Sequence, residues 1–138
     1  MKPIECYRGV VHPWLCDVMG HLTTRHYMAM FDDASYHLFS AIGFGEEQLQ
    51  SGIGLADVRT SITYKAELSA AALTLVTGRV VKVGTKSLTN LFLMHNATTG
   101  DIAAEMESVT VQFDLNKRAA MEVVPSIRER IEQLMGDD

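Results

Sequence analysis

The residues best suited to chemistry lie in one short stretch, Cys16-Asp17-Val18-Met19-Gly20-His21-Leu22-Thr23-Thr24-Arg25-His26-Tyr27, followed at once by an amphipathic run to Ile42. A carboxylate and a glycine turn stand just ahead of a helix start. The first turn of a helix offers unpaired backbone N–H groups and the positive end of the macrodipole. Such donors can hold an oxyanion while the carboxylate attacks a carbonyl carbon or directs water at it. That chemistry suits hydrolysis of an activated acyl group. Each residue also has a plainer reading. Asp17 could cap the loop through its side chain, and Gly20 could serve as a turn glycine. His21, four residues after Asp17, invites an acid–base pair or a metal, but no Cys/His cluster at zinc-ligand spacing accompanies it, so no metal is expected.

The elements that must position these residues follow from pattern. Residues 5–14 alternate loosely and read as a first strand, with Pro13 and Trp14 at its end. From Thr24 to Ile42 the period changes: Tyr27, Phe31, Ala34, Leu38 and Ile42 form one apolar stripe of a helix. Thr23 or Thr24 supplies the N-cap, and Gly43 and Gly45 the stop. Its many large side chains, Tyr27, Met28, Met30, Phe31, Tyr36 and Phe39, predict a well-buried helix. Asp32 and Asp33 read as a solvated face, with Asp33 pairing His37 one turn on; a catalytic acid on the helix is the alternative.

The rest reads as strand: Ile53 to Tyr64, broken around Asp57–Arg59; Leu73 to Val83; Ser87 to Asn96, with Leu88, Asn90, Phe92 and Met94 on one face; and Ile102 to Leu115. A short helix closes the chain, capped by Ser126, with Ile127, Ile131 and Leu134 on one side. Consecutive hairpin-linked strands and one long helix predict an α+β domain over residues 1–138, an antiparallel sheet of about five strands wrapped on that helix. A sheet covered by one helix leaves an edge open, which self-association would cover.

Composition bounds the rest. The sequence has 138 residues, 47% of them hydrophobic, a net charge of −5 and two cysteines. That describes one folding unit. It argues against nucleic acid as a partner, and two cysteines ten apart make no disulfide framework. No run approaches the ~18 apolar residues of a membrane span, and the N-terminus lacks an apolar signal region. A cytoplasmic setting is the expectation.

Several segments together resemble the hotdog-fold acyl-CoA thioesterases, in particular the branch that includes 4-hydroxybenzoyl-CoA thioesterase. Asp17, Gly20, His21 and Tyr27 match its Asp-x-x-Gly-His segment and the Tyr on the first helical turn. Ile62-Thr63-Tyr64-Lys65 is similar to its second-strand signature, Gly84-Thr85-Lys86-Ser87-Leu88 to the turn that meets coenzyme A, and Asn116-Lys117-Arg118 with Pro125 to its C-terminal exit. The segment Ala66–Ala72 departs from the family, which often has Pro and a Gly-Asp pair there. The opening and Phe31-Asp32-Asp33-Ala34-Ser35 are also similar to thioesterases of carnitine and betaine breakdown.

The resemblance implies a hotdog fold, a homodimer or homotetramer, an acyl-CoA substrate and no separate cofactor. It implies Asp17 as nucleophile or general base and the main-chain N–H of Thr24 as oxyanion donor. Gly20, His21, Thr23, Tyr27, Lys86 and Ser87 would contact substrate, with Lys65, Arg59 and Arg79 as lesser candidates for the coenzyme A phosphates. His21 would orient the loop. Tyr7, Trp14, Tyr27 and Tyr36 read as core, or as an aromatic cage if the acyl group carries a trimethylammonium. A hotdog enoyl-thioester hydratase or dehydratase fits less well, since its Asp and His stand one residue further apart. A non-catalytic acyl-CoA-binding module is the alternative from another class.

Overall fold

A computed structural model describes residues 1–136; Asp137 and Asp138, the end of the expected domain, lie outside the described residues. Strand β1 (Ile4–Val10) is followed by a 3-10 turn (Pro13–Leu15) and helix α1 (Thr24–Ala41). After the short α2 (Glu46–Gln50) come β2 (Ile53–Tyr64), β3 (Leu73–Val83), β4 (Ser87–Asn96), β5 (Ile102–Asp114), the two-residue β6 (Ala119–Ala120) and α3 (Pro125–Gly136). The strands form one antiparallel sheet in the order β1-β3-β4-β5-β2, with β6 paired to the end of β5.

Alternation builds the face that receives α1. Along β4, Leu88, Asn90, Phe92 and Met94 are buried and the residues between them are not, as the sequence predicts. Val76 and Val80 of β3 and Ala104 and Met106 of β5 continue this face. Helix α1 lays Tyr27, Met30, Phe31, Ala34, Leu38 and Phe39 onto it, packing mainly against β1 and β3. Burying this apolar surface is the main term holding helix to sheet. The helix stops where expected: Gly43 takes φ +98°, its N–H donates to Ser40 O at 3.1 Å, and the Phe44 N–H donates to Phe39 O at 2.9 Å. That paired closure satisfies carbonyls the helix leaves open.

Four expectations are corrected. The first strand ends at Val10; Pro13 starts the 3-10 turn, and Trp14 stacks on His12 with 74% of its surface exposed, so it is not core. Tyr36 is 63% exposed, because α1 buries one stripe and leaves Asp32, Asp33, Tyr36 and His37 on the open side. Asp33 and His37 form no ion pair. The break expected around Asp57–Arg59 is present, as a bulge, and needs no correction: β2 pairs with β5 on both sides and skips the exposed Val58. Ser126 does not cap α3; the Val124 carbonyl accepts the Ile127 and Arg128 N–H groups, and Pro125 takes the first helical position, where its missing N–H costs nothing. The short α2 and β6 are additions to the predicted elements.

Candidate active site

The chain between the 3-10 turn and α1 folds into a tight loop closed by a bridge between Cys16 and Leu22. The Asp17 N–H donates to His21 O at 2.8 Å, and the Gly20 N–H donates to Asp17 O at 3.0 Å. Gly20 sits at φ +83°, and a Cβ there would meet nothing within 4 Å. Glycine is therefore required by backbone conformation and not by space. The Asp17 carboxylate accepts through Oδ1 from the Met19 N–H at 2.9 Å and the His21 N–H at 3.3 Å. The loop-capping reading of Asp17 is thus correct for one oxygen. Oδ2 has no hydrogen-bond partner among the described residues and is available to a water or a carbonyl carbon.

The loop is docked on the segment after β2. The Leu22 N–H donates to Leu68 O at 2.7 Å, His21 bridges to Ser69, and Leu68 is 1% exposed. The segment Ala66–Ala72, which departs from the family pattern, therefore holds the site through one buried leucine and its backbone. His21 Nε2 lies 3.2 Å from Glu67 Oε2, so its ring points at Glu67 while its backbone serves Asp17. Thr23 is the N-cap of α1, but its hydroxyl makes no capping bond; Oγ1 is buried without a partner. Thr24 opens the helix, and its N–H belongs to the first turn, which has no intrahelical acceptor.

These groups converge. Asp17, Met19, His21, Leu22, Thr24, Tyr27, Tyr64, Lys65, Ala66 and Glu67 line one cavity of about 330 Å³. Tyr27, 4% exposed, meets Tyr64 edge-on at 5.1 Å between ring centres. Burial, with Tyr64 and Glu67 nearby, raises the Tyr27 phenol above its ordinary value of 10.0, so it keeps its proton and can donate. Lys65 reaches the cavity and lies 3.5 Å from Glu105. Met19, Leu22, Tyr64, Ala66 and Glu67 line the cavity without having been expected as site residues, whereas Lys65, a lesser candidate for the coenzyme A phosphates, does reach it.

Lys86 and Ser87 lie elsewhere. They form the β3–β4 turn, where Ser87 O accepts the Gly84 N–H at 2.8 Å and Arg128 donates to Gly84 O at 2.7 Å. β3 separates this turn from the Asp17 loop by its full length, ~30 Å at the usual rise per residue. Within one chain the two sets do not meet. Of the other cations, Arg59 and Arg79 do not line the cavity either. Cys6 is buried and its thiol is pushed up to about 11, mainly by desolvation, so it is no nucleophile at neutral pH.

Comparison with known proteins places this architecture. A Staphylococcus aureus protein solved in complex with CoA superposes with a TM-score of 0.87 at 18% identity, covering 100% of this chain and 88% of that one. A 1,4-dihydroxy-2-naphthoyl-CoA thioesterase from Synechocystis superposes at 0.80 with 17% identity, over 94% and 96% of the two chains. The arrangement is the hotdog fold. Among curated proteins, an L-carnitine dehydrogenase/betainyl-CoA thioesterase of Rhizobium meliloti (strain 1021) is 26% identical over 112 residues, 81% of this chain. The chain spans only 23% of the length of that relative. The sequence pattern of the thioesterase-like superfamily matches residues 11–131, from the end of β1 into α3, and the chain therefore belongs to the thioesterase-like superfamily.

Proposed function

We propose that the chain hydrolyses acyl-CoA thioesters with short or compact acyl groups, releasing the free acid and CoA. The observation that carries this is the convergence of the free Asp17 Oδ2 and the open N-terminus of α1 on one cavity. A thioester carbonyl set against the Thr24 N–H would have its developing oxyanion stabilised there. One such donor is worth ~10²–10³ in rate in well-studied hydrolases. Asp17 then attacks as nucleophile or activates water as base. Gly20 shapes the loop, His21 and Thr23 fix its two ends, and Tyr27 closes the acyl side.

The complete site is proposed to need a second copy. β2 is an open sheet edge, and its exposed Val58 and Tyr64, with Val18 and Met19 of the loop, form apolar surface that a monomer leaves in water. A dimer, or a tetramer of paired dimers, would cover this edge and could bring the Lys86–Ser87 turn of one copy to the Asp17 loop of another for coenzyme A. Among the described residues no helix is long and apolar enough to cross a membrane.

The acyl group is the open half of the reading. The cavity is small and walled by Tyr27 and Tyr64, which supports compact acyl groups. The Rhizobium meliloti relative supports betainyl as one of them, although its name covers two activities and the chain matches only part of it. The test is thiol release across a panel of acyl-CoA substrates. The proposal expects the highest kcat/KM among compact acyl groups. A kcat/KM that keeps rising through palmitoyl-CoA refutes the compact pocket, and tight binding without thiol release refutes hydrolysis.

A further inference from the structure

A second cavity, about 250 Å³, lies on the open side of α1 against the first half of β2. Its walls are of two kinds. Tyr36, Phe39 and Phe44 supply aromatic surface, with Leu49, Leu55 and Leu115 completing it; Asp32 and Asp57 supply two carboxylates. The Tyr36 and Phe39 rings stand edge-to-face, 6.3 Å between centres at 81°, and Tyr36 remains largely exposed. Among the described residues neither carboxylate has a cationic side chain within ion-pair distance.

Asp57 is held from below by a buried polar chain. The Thr110 hydroxyl donates to Asp57 Oδ1 at 2.6 Å, and Asn90 Nδ2 donates to Thr110 Oγ1 and to Ser108 Oγ, each at 3.2 Å. Asn90 and Thr110 are 0% exposed and Ser108 2%, yet Asn90 Oδ1 has no partner. A wholly hydrophobic sheet would bury apolar residues at these three positions; here they form a polar chain that ends on a carboxylate. Two unpaired carboxylates beside an open aromatic face recognise positive charge spread over carbon. The volume, below that of drug-sized sites, limits the ligand to a compact one.

We propose that this cavity binds a compact organic cation of the quaternary ammonium class. The binding claim does not depend on hydrolysis, and it is tested on the free protein. The probe is choline chloride, with its uncharged isostere 3,3-dimethylbutan-1-ol as control, read by calorimetry. Choline is expected to saturate one site per chain and to bind about tenfold or more tightly than the isostere. Asp57→Asn and, separately, Tyr36→Leu, whose exposed side chain can change without unfolding the chain, should each weaken choline about tenfold. Equal binding of choline and isostere, no binding, or binding untouched by both variants overturns the proposal. A second arm identifies the source of the cation: Asp32 and Tyr36 stand ~12–18 Å along α1 from Thr24, so a substrate cation would reach this cavity only from an acyl-CoA held by the partner copy, and choline would then compete with hydrolysis of a cationic acyl-CoA but not of a neutral one. Binding with no effect on either reaction assigns it to a free ligand.

Discussion

Two cavities touch α1, and each combines carboxylate with tyrosine. At the helix N-terminus, Asp17 is held by two backbone N–H groups and faces Thr24, with Tyr27 and Tyr64 as walls. At mid-helix, Asp57 is held by a buried hydroxyl and faces Asp32, with Tyr36 and Phe39 beside it. The side chains are similar; the backbone is not. The first cavity contains the unpaired main-chain donors of a helix start, whereas the mid-helix N–H groups of α1 beside the second are consumed by the i−4 carbonyls. A carboxylate becomes useful for acyl transfer where an oxyanion can be stabilised next to it, and otherwise it serves to attract positive charge.

The sharpest way to break this comparison is to neutralise one acid at a time. Asp17→Asn keeps the shape of the loop and removes the anion, so kcat for a compact neutral acyl-CoA should fall at least ~10²-fold, within the range for lost acid–base catalysis. Asp57→Asn should change kcat for that same substrate less than about threefold. Steady-state kinetics check both; similar losses from the two variants would erase the distinction drawn here.

The glycines of the two regions give a smaller effect on stability. Gly20→Ala forces an alanine to φ +83° and should cost about 1–2 kcal/mol, with turnover lowered as the Asp17 loop shifts. Gly54→Ala, in the second cavity, would have the Leu115 side chain as its nearest neighbour, with Cδ2 2.9 Å from the new Cβ. A flexible side chain can move, so the cost should be about 1 kcal/mol or less, with turnover of a neutral acyl-CoA unchanged. Denaturant titration of the two variants separates them.

The smallest effect concerns Asp32. Burial raises its carboxyl above 3.8, and the charges of Asp57 and Asp33 add to the rise. In the window above pH 3.8 the native state then holds a proton that the unfolded chain has released, so this group lowers stability as pH rises. Asp32→Asn should flatten that fall and leave the protein at least as stable at neutral pH. Midpoints of unfolding measured from pH 4 to 7 test the sign; a variant less stable than the parent at pH 7 contradicts it.

What could be read in the sequence was local. The period of Tyr27, Phe31, Ala34, Leu38 and Ile42 marks α1, a β-branched apolar run marks β3 and alternation marks β4, both strands to the residue. The Asp17 loop was legible because its turn, its glycine and the helix start are contiguous. What stayed hidden depends on contacts between distant segments. Nothing near Tyr36 says that its side of the helix stays open. Nothing near Glu67 says that His21 will reach it, nor near Asp57 that Thr110 will hold it. The polar positions Asn90, Ser108, Thr110 and Gln112 alternate as core residues do, and only the sheet register shows that they share the inner face.

The central claim is that the thioester carbonyl sits against the start of α1. The most direct measurement is a ¹⁵N NMR titration with an acyl-dethia-CoA, in which a methylene replaces the sulfur, so that the carbonyl remains and hydrolysis is impossible. The account predicts that the Thr24 amide moves further than any amide of Asp32–Tyr36, with Met19 and His21 following as the Asp17 carboxylate responds. A saturating analogue that leaves Thr24, Met19 and His21 unmoved while shifting amides elsewhere would contradict it.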